Sequence, residues 1–138
     1  MEQAKQVIVF RKDLLKGEHA IRKGKLAGQV AHASLGSLLK LASKSHEGDT
    51  STYTLSFKDG SVLDSWLNGI FTKVVVYVES EAELIALQAQ CDAAGLPNAL
   101  ITDAGNTEFH GVPTVTCLGI GPCWNEDVDK ITKDLKLL

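Results

Sequence analysis

The sequence predicts a single α/β domain with a mixed, mostly parallel four-stranded sheet and helices on both faces. Short β-branched apolar runs alternate with longer stretches of helical periodicity, which is the pattern of strands and helices packed in layers. The 138 residues have room for one hydrophobic core. No repeat, low-complexity tract or linker interrupts them. We therefore expect one domain over residues 1–138.

The first part of the chain pairs a buried strand with a long helix. Residues 6–11 (QVIVFR) form a β-branched apolar run, which predicts a buried strand, and 12–23 form a charged loop. A helical period predicts a helix over 24–44. One side of this helix carries Leu26, Val30, Ala33, Ser37 and Leu41.

The middle of the chain contains one poorly patterned stretch and two clear elements. Alternating aromatic and aliphatic residues within 45–60 predict one short edge strand before an Asp-Gly turn. Ser61 is placed to cap a short helix that ends at Gly69. Residues 71–78 (FTKVVVYV) have the strongest strand pattern in the sequence.

The last third is predicted to contain two helices and two strands. Ser80, with a glutamate three residues later, forms a capping box for a helix that ends at Gly95. Strands are predicted over 98–102 and 114–121, joined by a loop. A short acidic helix begins at Asn125.

Charge is distributed unevenly along the chain. The net charge of −3 combines eight basic and three acidic residues in 1–40 with six basic and fourteen acidic residues in 41–138. Binding of a polyanion depends on the local potential rather than on the total. The basic first section is therefore compatible with a nucleic-acid partner as well as with an ordinary solvated surface.

Cysteine usage and hydropathy indicate the cytoplasm. Cys91, Cys117 and Cys123 are odd in number and form no CxxC pair, so we expect buried small side chains rather than disulfides or a zinc site. No apolar run approaches the roughly 20 residues of a membrane helix. The polar N-terminus does not resemble a secretion signal. We expect no metal and no membrane association.

Two segments carry the candidate functional residues. In the first, GKLAGQVAHAS, Lys25, Gln29 and His32 recur at helical spacing and form a polar stripe. A helix face that packs in the core would be apolar, and a face exposed to solvent would favour Glu–Lys pairs. Neither explains these three polar residues. The small neighbours leave room for a large ligand. A histidine on a helix is more often structural than catalytic, and that alternative stays open for His32.

The second segment is ITDAGNTEFHGVPTVTCLGIGP. Asp103 directly follows an apolar strand, at the edge of an α/β sheet where ligands bind, although Asp-Ala-Gly is also typical of a tight turn. Thr107, Thr114 and Thr116 supply hydroxyls nearby, but threonine also suits strands. GIGP lacks the third glycine of a dinucleotide fingerprint, so it indicates a nucleotide only weakly.

Together these segments resemble the peptidyl-tRNA hydrolases of the archaeal and eukaryotic type. That family has the motifs GKxAxQxxHA, DAGxT and TxLGIGP, and this chain carries all three in the same order. The resemblance covers nearly the whole chain. The departures are Gly28 where the family often has alanine, a longer segment over 45–60, and an extra residue within 108–113. None of them removes a motif residue.

The resemblance implies an enzyme that hydrolyses the ester between a peptide and the acceptor end of a tRNA, with no cofactor and as a homodimer. The exposed apolar candidates for the dimer interface, Trp66, Leu67 and Ile70, are too few to establish it. The predicted catalytic residues are Lys25, Asp103, Thr107 and Thr116. The predicted substrate-binding residues are Gln29, His32, Arg11, Lys12, Lys16, Arg22 and Lys23.

The chemistry suits ester hydrolysis but leaves individual roles open. Lys25 would stabilise the oxyanion or bind the terminal phosphate, and Asp103 would orient water or act as a base. His32 would be either the general base or a hydrogen-bonding residue. Two other classes remain as alternatives. One is a non-catalytic tRNA- or RNA-binding domain of the same fold, which would leave the ester intact. The other is a nucleotide-binding protein that uses GIGP, which would ignore tRNA.

Overall fold

A four-stranded sheet lies at the centre of the computed structural model, which describes residues 2–106 and 108–138. The strands are β1 (Ala4–Arg11), β2 (Ser43–Glu47), β3 (Thr50–Thr54), β4 (Lys73–Val78), β5 (Asn98–Asp103) and β6 (Thr114–Trp124). The helices are α1 (Lys23–Leu39), α2 (Val62–Leu67), α3 (Glu81–Ala93) and α4 (Asn125–Thr132), and a 3₁₀ turn covers Lys12–Leu15. In the described part of the chain, no helix has the length and apolar character that crossing a bilayer requires.

The central sheet is mixed, as predicted, but fewer of its pairings are parallel than we expected. Its order is β4-β1-β6-β5. β1 pairs with β4 in parallel, whereas β6 is antiparallel to both β1 and β5. β4, β1 and β5 therefore run in one direction, and β6 lies between β1 and β5 in the opposite direction. The physical reason is that the chain turns straight back from β5 into β6, without the crossover helix that a parallel pairing needs.

Helices cover both faces of this sheet, as the sequence predicts. Successive residues of a strand point to opposite faces. Val7 and Val9 belong to an apolar cluster that includes residues of α3 and α4. Ile8 and Phe10 belong to a second cluster with Ala33 of α1. β1 is buried on both faces, which explains its continuous apolar sequence.

Helix α1 packs closely on β6 because Gly119 has no side chain. A Cβ at Gly119 would overlap the backbone carbonyl of Ala33. Ser37 Oγ also donates to the carbonyl of Gly121 at 2.5 Å. The GIGP segment is therefore part of a buried strand against a helix, so its geometry does not favour the nucleotide-binding alternative.

The structure corrects the prediction in the segment that follows α1. The helix ends at Leu39 rather than at residue 44, and two strands, β2 and β3, replace the single expected edge strand. A Gly-Asp turn joins two Ser/Thr-rich runs, which favours a two-residue hairpin over further helix. Every residue of β2 and β3 is exposed, and the alternating residues behind the prediction run past the end of β3 at Thr54.

The exposed apolar candidates also differ from the prediction. Trp66 is only 1% exposed, and its indole N–H donates to the carbonyl of Thr72 at 2.8 Å. Ile70, in contrast, is 84% exposed. The three cysteines are free and buried, as expected, and burial raises the pKa of the Cys117 thiol to about 11.

Candidate active site

The start of α1 and the end of β5 bring Lys25 and Asp103 together, although 78 residues separate them in the chain. The ammonium of Lys25 donates to Asp103 Oδ1 at 2.6 Å. The two side chains are 15% and 11% exposed. The pair is therefore shielded from most of the solvent but open on one side, which strengthens its electrostatic interaction and still allows a ligand to reach it.

Two further donors bond to the Asp103 carboxylate. Gln29 Nε2 donates to Oδ1 at 3.0 Å, and the N–H of Gly105 donates to Oδ2 at 2.8 Å. Burial raises the pKa of Asp103, but the hydrogen bonds from Lys25, Gly105 and Gln29 and the charge of Lys25 together lower it by more. The net result is a pKa below the usual range. Asp103 is thus an anion at neutral pH and a weak base.

The Asp-Ala-Gly turn forms part of the candidate site. Gly105 has a φ of 84°, a conformation that glycine adopts without strain. A Cβ there would lie 2.5 Å from the carbonyl oxygen of Val112. The turn aims the Gly105 N–H at Asp103, so the two interpretations of this motif are compatible.

Thr116 fixes the orientation of Gln29. A carboxylate only accepts hydrogen bonds, so the amide nitrogen of Gln29 must face Asp103 and its oxygen must face Thr116. The Thr116 hydroxyl therefore donates to Gln29 Oε1, at 2.7 Å. Thr116 is fully buried and Gln29 is 2% exposed. Both residues lie behind the carboxylate rather than at the surface where a substrate arrives.

Two other candidate side chains, those of His32 and Thr114, are not among the described groups that donate to the Asp103 carboxylate. His32 is exposed on α1. Thr114, the first residue of β6, donates from Oγ1 to the carbonyl of Val112 in the preceding loop at 2.9 Å. Thr107 lies outside the described residues.

The predicted basic residues have different environments. Arg11 is 14% exposed, pairs with Asp13 at 2.7 Å and donates to the carbonyl of Val115 at 2.9 Å. It joins the end of β1 to the start of β6 and presents little of its charge to solvent. Lys12 Nζ lies 4.2 Å from the ring centroid of Tyr77.

The other three predicted basic residues are exposed. Lys16 is ion-paired with Glu79, just beyond the end of β4, at 2.9 Å. Arg22 is 88% exposed and pairs with Glu108 at 3.0 Å. Lys23 is exposed at the first position of α1. These residues lie near the carboxyl ends of β4, β1 and β5, which meet at one edge of the sheet.

The structure adds two residues to the site that the sequence did not single out. An open depression is lined by Arg22, Gly24, Lys25 and Glu108. Phe109 lies beside it, with Lys25 Nζ 5.5 Å from its ring centroid. Glu108 and Phe109 have no periodic pattern, and their only sequence signal is that they follow the DAGxT motif.

An ammonium and a carboxylate held together at the ends of these strands can stabilise an oxyanion and orient a water molecule, which is the chemistry that a hydrolase needs. The family described as Peptidyl-tRNA hydrolase PTH2 matches residues 4–138. The chain belongs to this family, which confirms the resemblance inferred from its motifs.

Relatives named "Peptidyl-tRNA hydrolase" match along nearly their full length. The one from Thermococcus sibiricus is 42% identical and the alignment covers 100% of both chains. The one from Methanopyrus kandleri is 41% identical over 97% of each chain. A relative from Saccharolobus solfataricus is 38% identical over 97% of this chain and 98% of its own.

Proposed function

We propose that the protein hydrolyses the ester that joins a peptide to the 3′ end of a tRNA and releases the peptide and free tRNA. The observation that carries this proposal is the contact between Lys25 and Asp103, the two charged residues of the motifs on which the resemblance rests. The named relatives and the family description support the same reaction. The alternatives of a binding-only domain or a nucleotide-binding protein are not favoured.

The proposed mechanism assigns the two charged groups to different parts of the reaction. Water attacks the ester carbonyl, the bond from carbon to the ribose oxygen breaks, and that oxygen leaves with a proton. Lys25 stabilises the negative charge that develops on the carbonyl oxygen. Asp103 accepts a hydrogen bond from the attacking water. Because the pKa of Asp103 is low, it orients the water and takes up its proton only as the new carbon–oxygen bond forms. Asp103 then passes this proton to the leaving ribose oxygen.

Thr116 and Gln29 are assigned to positioning rather than to direct contact with the substrate. Their burial and the hydrogen bonds from Thr116 to Gln29 and from Gln29 to Asp103 support this role. For Thr107 and His32, a direct role stays a prediction from the motifs alone.

The exposed basic residues are proposed to bind the phosphates of the acceptor end. Arg22 and Lys23 flank the depression that holds Lys25, and Lys16 extends the basic surface along the same sheet edge. Counterion release then requires that affinity for tRNA falls as the salt concentration rises. Filter-binding measurements at several salt concentrations test this, and salt-independent binding contradicts it.

We also propose a homodimer that works in the cytoplasm, where peptidyl-tRNA arises. The support for dimerisation is an apolar groove between α1 and the segment after α2, with Leu35 and Phe71 on its walls. These side chains are 56% and 45% exposed. A molar mass of one chain in light scattering at micromolar concentration contradicts the dimer.

The decisive experiment is release of free tRNA from a purified peptidyl-tRNA. Wild-type protein should release it, and Lys25→Ala should lower kcat by roughly 100-fold, because one oxyanion-stabilising group is lost. Lys58→Ala, an exposed lysine after β3, is the matched control and should have wild-type activity. Tight tRNA binding without ester cleavage by the wild-type protein supports the binding-only alternative instead.

A further inference from the structure

Two histidines lie on the loops that supply Arg22 and Glu108 to the depression at Lys25, and the proposed mechanism does not use them. His19 lies in the loop before α1, and His110 lies in the loop between β5 and β6. Their ring centroids are 5.5 Å apart, and the ring planes meet at 79°. We propose that these residues, the histidine platform, stack on the unpaired bases at the 3′ end of the substrate tRNA. This inference rests on the proposed function.

The platform lies beside the reacting groups. Its two loops are joined by the ion pair of Arg22 and Glu108, and both of these residues line the depression. Phe109, which directly precedes His110, has its ring centroid 5.5 Å from Lys25 Nζ. The ester to be cleaved is attached to the last nucleotide of the tRNA. A substrate with its ester at Lys25 and Asp103 therefore brings its terminal bases close to these two loops.

One buried and one partly buried side chain hold the two loops in place. Ile21, two residues after His19, and Phe109, one residue before His110, pack in the same apolar cluster on the α1 face of the sheet. The N–H of Gly111 donates to the carbonyl of Gly105 at 2.8 Å, which closes the loop that carries His110. An aromatic surface that is already in position loses little conformational entropy when a base binds.

His110 also has an unfavourable backbone conformation. Its φ of 52° is uncommon for a residue with a side chain. Such strain persists where the surrounding structure enforces it, and it occurs preferentially at functional sites. A glycine would adopt this conformation without strain, but the chain has an exposed imidazole at this position.

The chemistry of the platform fits single-stranded RNA. Unpaired bases are commonly bound by stacking on aromatic side chains, including histidine. In an edge-to-face pair, each ring keeps at least one face free for a ligand. Both histidines are exposed, so those faces are accessible to a base.

The first test separates stacking from charge at His110. We expect His110→Ala to raise KM for peptidyl-tRNA by about 5- to 100-fold with little change in kcat, because base–aromatic stacking contributes mainly to binding. His110→Phe, which keeps a flat ring and the same Cβ at positive φ, should stay close to the wild-type KM. His46→Ala, in the exposed β2–β3 hairpin, is the matched control and should change neither constant.

The second test does not depend on ester cleavage. A short single-stranded RNA ending in CCA should bind wild-type protein more tightly than the same RNA with abasic sugars at its last two positions. His110→Ala should remove that difference, as measured by fluorescence anisotropy. If wild-type protein leaves peptidyl-tRNA intact, the proposed function fails. The RNA-binding measurement still shows whether the histidine platform stacks on bases.

Two results would overturn the platform. One is an unchanged KM and unchanged RNA affinity in His110→Ala, relative to His46→Ala. The other is a His110→Phe variant as impaired as His110→Ala while His110→Lys binds normally. That pattern would identify a charge contact with phosphate instead of stacking.

Discussion

Asp103→Asn is expected to lower kcat for peptidyl-tRNA by about 100- to 1,000-fold, as does loss of other preorganised catalytic groups. Asparagine has nearly the same shape but no charge. Lys25 then lacks its carboxylate partner, and the attacking water lacks an anionic acceptor. Single-turnover rates of tRNA release measure the effect. Asp59→Asn, an exposed residue in the turn before α2, is the control and should be unaffected.

The pH dependence of the wild-type enzyme provides a second check on Asp103. Its folded-state pKa is below the ordinary value of 3.8, so the carboxylate stays charged throughout the range from pH 5 to pH 8. Any loss of activity between pH 7 and pH 5 must therefore come from another group. Asp103→Asn should keep the midpoint of that loss and lower only the rate. A shifted midpoint would mean that Asp103 itself titrates there.

The same shift predicts how stability depends on pH. A carboxyl group whose pKa is lower in the folded state stabilises the fold above its unfolded pKa and loses this contribution as the pH falls through the folded value. The contribution of Asp103 should thus be complete at neutral pH and decline below about pH 4. In urea unfolding, the difference between wild type and Asp103→Asn should shrink over that acidic range. A difference that is independent of pH contradicts the assignment.

The sequence predicted those strands and helices in which burial requires apolar side chains at regular positions. β1 is buried on both faces, so its apolar run was recognisable without any partner. The contact between Lys25 and Asp103 could also be anticipated, because two motifs place a lysine near the start of a helix and an aspartate at the end of a strand. The roles of Lys25 and Asp103 still rest on the resemblance and on chemistry.

Features that depend on long-range geometry were not predictable. The position of β6 between β1 and β5 depends on which strands have an edge free for pairing. The apolar pattern of a single strand does not contain that information. The hydrogen bond from Arg11 to the carbonyl of Val115 joins residues far apart in the chain, and local sequence cannot reveal it. The hairpin of β2 and β3 is exposed on both faces, and the alternating residues of this segment run past its end, so they do not mark its limits.

Gly119→Ala is expected to lower both stability and activity, because this glycine sets the distance between α1 and β6. The added methyl group would overlap the carbonyl of Ala33, and backbone atoms cannot move aside as a flexible side chain can. Overpacking of this kind typically costs about 1–3 kcal/mol in the free energy of unfolding. The helix must shift outward, and Lys25 and Gln29 shift with it.

A matched control lies on the same helix. A Cβ at Gly28 would meet no atom within 4 Å, so Gly28→Ala should stabilise α1 by up to about 1 kcal/mol. Urea unfolding and single-turnover kinetics on both variants separate the two effects. Gly119→Ala should lose kcat even at temperatures where it is fully folded, whereas Gly28→Ala should keep it. Full activity in folded Gly119→Ala would show that the site tolerates a displaced α1, and that the hydrogen bonds to Asp103 adjust to it.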